Sequence, residues 1–154
     1  ATALVIKAAR EQGFTGGFVV VDQAKFEEMN KLVPMAMLEN SVGVMPMVHH
    51  PDFRAVKFVE KYRQKKGADR DPPREVSLTY GALRVLARAM ELAGTTTDAK
   101  AIHAKADEAA ATLPDEFKPS ELLGVSPQGH LRQTTVAAHI VGGKFLPLKL
   151  PNID

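Results

Sequence analysis

Asp22, His49 and Tyr80 are the side chains in this sequence whose type and setting fit contact with a small molecule. Asp22 follows Phe18-Val-Val-Val21, a β-branched run that reads as a buried strand. That puts a carboxylate at the strand's carboxyl end, where open α/β sheets place their ligand crevice. A carboxylate suits a primary amine, because a charge-assisted hydrogen bond is roughly twice as strong as a neutral one. Asp22 equally suits the N-cap of a helix beginning at Gln23, and the two roles are compatible. His49-His50 follows a second apolar run, Val42-Gly-Val-Met-Pro-Met-Val48. Adjacent histidines point in different directions and rarely share a metal. The pair reads either as exposed linker or as a ligand contact. Tyr80 stands in a helical pattern amid Leu78 and Ala82, where core packing and ligand contact are both open.

No catalytic set accompanies these residues. Ser41-Val-Gly43 lacks the G-x-S-x-G elbow. Gly13 to Gly17 does not lead into a phosphate-loop helix. Asp69-Arg70-Asp71 is a solvated charge run in a Pro-rich loop, and His103, His130 and His139 fall on separate elements. The chain has no cysteine, which removes disulfides, Cys-ligated zinc and thiol catalysis. Neither an enzyme, a metal site nor a cofactor is expected.

Several elements must position the candidates. Ala3–Gln12 reads as a helix ended by Gly13. Phe18–Val21 and Val42–Val48 read as strands. Between them Gln23–Leu32 reads as a helix, with Phe26, Met29 and Leu32 facing inward. This β-α-β order points to a doubly wound α/β layer, with the two strands parallel. Three helices follow. The first is Phe53–Lys66, capped by Asp52, with Phe53, Val56 and Val59 as its buried stripe. The second is Glu75–Leu92, with Leu78, Ala82, Val85, Leu86 and Ala89 on one face. The third, Ala99–Thr112, is capped by Thr97 or Asp98. The tail is β-like. Ser126-Pro-Gln-Gly129 is a turn, Thr134–Val141 a strand and Gly142-Gly143 a hairpin turn. Lys144–Leu148 returns as a strand that Pro147 confines to an edge.

At 154 residues there is enough chain for a real core. The net charge is +2, and Lys61-Tyr-Arg-Gln-Lys-Lys66 reads as the last turn of a helix rather than a nucleic-acid surface. No apolar run reaches the ~18 residues that span a bilayer. The chain opens inside a helical pattern with no cap before it, which points to missing upstream sequence.

A series of motifs resembles the type I solute-binding proteins of ABC importers, the branched-chain amino-acid (Leu/Ile/Val) binding family. Leu4-Val-Ile-Lys-Ala-Ala-Arg-Glu-Gln-Gly-Phe14 looks like that family's helix before a second-lobe strand. Tyr62–Gly67 looks like its "Y…kkyG" helix end, and Thr79-Tyr-Gly-Ala82 to Ala93-Gly94 resembles its "aYdAv" helix. Ser126–His130 and Val136–Phe145 resemble its closing turn and hairpin. The resemblance runs over nearly the whole chain.

The resemblance implies two doubly wound α/β lobes joined by a hinge, the Venus-flytrap arrangement, of which this chain is a C-terminal portion. Residues 1–47 would be second-lobe, 48–131 first-lobe after a hinge crossing, and 132–154 a return to the second lobe. Asp22 aligns with the acidic residue that takes the ligand's ammonium group in amino-acid binders of this family. His49 would stand at the crossing and Tyr80 near the hinge. The implied function is an extracytoplasmic, periplasmic receptor that binds an amino acid or related molecule by hinge closure. In a Gram-positive cell it would be secreted or lipid-anchored. Its partners would be a membrane permease and the missing N-terminal part of the same protein, or an exchanged copy. The alternative is an amide-type sensor or regulatory domain on the same scaffold. A signal peptide upstream would favour the receptor.

Overall fold

The computed structural model describes residues 1–21, 25–134 and 136–149. The chain divides into two compact units, Ala1–His50 with Thr135–Asp154, and Pro51–Thr134.

The first unit is built on a three-stranded sheet. Strands β1 (Val42–Val44), β4 (Val136–Val141) and β5 (Lys144–Lys149) lie in the order β1-β4-β5. Both pairings are antiparallel, with Gly43 opposite Ala138 and Ile140 opposite Phe145. Pro147 therefore sits on the edge strand, where its missing N–H costs no ladder bond. On the far side of β1, Val19 bridges Val42 in the parallel sense anticipated, but the expected buried strand over Phe18–Val21 is reduced to this one bridge, with Val20 buried and Val19 and Val21 exposed. The Val20 amide donates to the Val42 carbonyl and the Val42 amide to the Phe18 carbonyl, each at 2.8 Å.

Helices α1 (Thr2–Glu11) and α2 (Phe26–Met29) lie in the same unit. The core combines Ile6, Phe26, Met29, Leu38, Met45 and Ile140. Phe26 and Met29 face inward as read from the sequence, but Leu32 is exposed. The second strand is shorter than its apolar run: Pro46 ends it, and Met47–His49 forms a 3-10 turn.

Two long-range polar ties hold this unit. The Arg10 side chain donates to four carbonyls, those of Phe14, Gly16, Met37 and Glu39, at 2.7–3.1 Å. Its guanidinium carbon also lies 4.9 Å from the Phe18 ring centroid. The Glu39 carboxylate accepts from the amides of Gly142 and Gly143 at 2.8 and 3.3 Å. Both glycines have positive φ, which the tight turn between β4 and β5 requires.

The second unit holds α3 (Val56–Lys66), α4 (Arg74–Ala93), α5 (Ala99–Ala104), α6 (Ala106–Ala111) and a hairpin of β2 (Leu122–Val125) and β3 (Leu131–Gln133). Asp98 caps α5, accepting from the Lys100 and Ala101 amides at 3.0 and 3.1 Å. The expected single helix over 99–112 is broken at Lys105. Helix α3 begins three residues later than expected and Asp52 does not cap it. The Arg54 amide is instead tied to the Lys118 carbonyl at 3.1 Å, which holds the approach out of helical geometry.

The buried faces also depart from expectation. Val59 is buried on α3, but Val56 is exposed. On α4 the buried line is Ser77, Gly81, Val85 and Ala89, while Ala82 and Leu86 are exposed. Spaced four apart, these residues form one ridge, and three of the four are small. A Cβ on Gly81 would lie 3.0 Å from the Pro119 ring, so the small side chain sets the approach there. Val85 and Ala89 of the ridge pack with Ile102, Ala109, Ala110 and Leu113.

Candidate functional site

The parallel pair in the first unit defines the candidate site. Phe18–Val21 and β1 point the same way, so their carboxyl ends fall on one edge. The chain leaves one end as Val21-Asp22 and the other as Met45-Pro-Met-Val-His49. Gly43 is what brings the two strands and α2 together. A Cβ on it would lie 2.5 Å from Val20 Cγ2 and 2.9 Å from the Phe26 ring.

Asp22 itself lies outside the described residues. His49 closes the 3-10 turn, exposed, its ring centroid 5.2 Å from that of Phe145 on the edge strand. His50 is buried beside it in sequence. Tyr80 belongs to the second unit, on the first half of α4. It is half-buried and stacked on Phe58 of α3, centroids 4.2 Å apart and planes within 12°. Burial raises its phenol above the ordinary tyrosine value. The Arg84 cation one turn on pulls it down less strongly. The two described candidates thus stand in different units, each held by an aromatic neighbour.

Sequence reasoning missed Arg10 and Glu39, the residues that fix the strand framework. Their partners lie up to 29 and 104 positions away, and no local period encodes such contacts. Among the described residues, no group of three or more His, Asp or Glu side chains is placed to hold a metal ion. No described helix is long and apolar enough to cross a membrane.

Comparison with known proteins gives no matching family profile and no matching curated sequence. Among solved structures, the leucine-binding protein LivK of Thermotoga maritima matches with a TM-score of 0.65 and 25% identity. The match covers 95% of this chain. The chain has a mixed α/β fold of the type I periplasmic-binding-protein kind. It spans 40% of the length of LivK. The solved structure it resembles is that of a binding protein rather than an enzyme.

Proposed function

We propose that this chain is part of an extracytoplasmic solute receptor that delivers an amino acid, or a related small molecule, to an ABC importer. The observation that carries the reading is the likeness to a leucine-binding protein along 95% of the chain. On this reading the first unit belongs to one lobe and the second unit to the other, with the segments about residues 50 and 134 as crossings between them. Asp22 takes the ligand's ammonium group, and His49 and Tyr80 border the cleft. The receptor works in the periplasm or on the outer face of the cell, and hands its ligand to a membrane permease.

Helix α4 supports a larger receptor. Its ridge of Ser77, Gly81, Val85 and Ala89 is buried, yet the opposite side carries Val76 and Leu83, both exposed. A helix apolar on two opposed faces is one that packs on both. Further chain of the same receptor covers the second face on this reading.

The test is calorimetric titration of the full-length receptor with branched-chain amino acids, for wild type and Asp22→Ala. Removing one member of a buried charge pair costs on the order of 2–5 kcal/mol, a loss of about thirtyfold or more. A deaminated analogue of the same ligand should lose almost nothing. No binding of any amino acid, or equal losses for both ligands, would overturn the assignment.

A further inference from the structure

The second unit contains a cleft of about 250 Å3 between Arg84 and Arg88 of α4 and the segment Thr112–Phe117. The two arginines are one helical turn apart, a spacing at which like charges repel. The Arg84 guanidinium carbon lies 3.6 Å from the Phe117 ring centroid, a close cation–π contact. Among the described residues Arg84 has no hydrogen-bond or ion-pair partner, and the Nε of both arginines is buried without an acceptor. Both Nε atoms are closed to solvent, whereas the Nη groups of Arg84 are not buried and are free to meet an acceptor in the cleft. Arg88 donates through Nη1 to Glu91 at 3.0 Å, so one of the two positive charges is already matched. Of the remaining walls, Ala87, Leu113, Pro114 and Phe117 are apolar, and the Thr112 hydroxyl donates to the Glu108 carbonyl at 2.7 Å.

We propose that this cleft binds a small monocarboxylate with an apolar body. The carboxylate sits on the planar fork of Arg84, whose geometry matches two carboxylate oxygens, with Arg88 beside it. The body lies against Leu113, Pro114 and Phe117. A single unmatched positive charge calls for one negative charge, and Glu91 at the mouth repels polyanions. The volume is below that of a drug-sized pocket and suits a compact acid. The site lies wholly within the second unit and does not depend on the receptor reading.

The test is a titration of the isotope-labelled chain with benzoate, followed by the arginine side-chain Nε–H resonances. Benzyl alcohol, with the same ring and no charge, and inorganic phosphate, with charge and no ring, are the comparison ligands. Benzoate should shift the Arg84 and Arg88 signals saturably, and both other ligands should bind at least roughly tenfold more weakly. Arg84→Met should abolish the effect, and Arg84→Lys, which keeps the charge and loses the fork, should weaken it. Asp22→Ala should leave it unchanged. Melting curves establish that each variant folds. Should the arginine variants fail to fold, Phe117→Leu tests the apolar wall by the same titration. Shifts confined to other residues, an equal response to phosphate, or undiminished binding in a folded Arg84→Met variant would overturn the proposal.

Discussion

In the first unit the largest fully buried side chains are Phe26, Ile6, Leu38, Met45 and Ile140, whereas in the second they are Pro119, Ser77 and Ser120. The first unit puts its bulk inside and ties the loops over it with Arg10 and Glu39. The second brings helix α4 close to its neighbours through small residues and keeps Val76 and Leu83 on its outer side. Both units leave apolar side chains exposed, Leu4, Val5, Val19 and Leu32 among those of the first and Val76 and Leu83 among those of the second, so the cores differ in the bulk that each buries. The amount of stability that a single truncation removes should therefore differ between the units.

The largest effect belongs to Phe26→Ala. Truncating a fully buried phenylalanine removes about 3–5 kcal/mol, through lost transfer energy and the cavity left behind. Val85→Ala, at the centre of the second core, should remove about 2 kcal/mol, the worth of its buried methyls. Chemical denaturation measures both losses. Native-state hydrogen exchange locates them: Phe26→Ala should speed exchange at Ala138 and Ile140, and leave the amides of α6 nearly unchanged. Equal losses for the two variants would break the comparison between the cores.

Leu83 sharpens the same comparison. It is 59% exposed in this chain. Leu83→Gln should therefore change the stability of the 154-residue protein by no more than about 0.5 kcal/mol. In the full-length receptor, where further chain is proposed to cover this face, the same substitution should cost about 1.5–3 kcal/mol. Parallel denaturation curves of both proteins give the two numbers. A small effect in both would leave the outer face of α4 as ordinary surface.

The legible parts of the fold were those with local signals. The glycines after helices and at the Gly142-Gly143 turn, and the Asp98 cap, each follow from a residue and its immediate neighbours, whereas Phe18–Val21 was legible in its direction but not as a buried strand. The illegible parts were set by distant contacts. Hydropathy alone selects Leu86 for the core over Gly81, because it weighs apolar area and not distance of approach; the nearness of Pro119 reverses that choice. Asp52 has the chemistry of a cap, but the Arg54 amide is claimed by Lys118, far along the chain. Of the candidate site, the parallel strand pair leading into Asp22 and toward His49 was readable from two apolar runs and a helix between them. The Phe58 stack on Tyr80 was not, since it joins two helices separated by a Pro-rich loop.

The smallest effect is on a titration and tests how far the second unit encloses its candidate site residue. Tyr62→Phe leaves Tyr80 as the one tyrosine, because the chain has two. Ultraviolet difference absorbance then follows the Tyr80 phenol alone. Its midpoint should lie above the ordinary value of about 10, because burial against Phe58 disfavours the phenolate more than the Arg84 cation favours it. The sign of the linkage follows. A folded-state value above the unfolded one means that the contribution of Tyr80 is complete below the unfolded value. It is then lost as pH rises through the folded value, so stability falls on the alkaline side. Phe58→Ala, which opens one face of the ring to water, should bring the midpoint back toward the ordinary value. Arg84→Met should move it the other way, by removing the cation that favours phenolate. A midpoint at or below about 10 in the Tyr62→Phe protein would mean that the ring is solvated despite the stack, and that α3 and α4 do not enclose it.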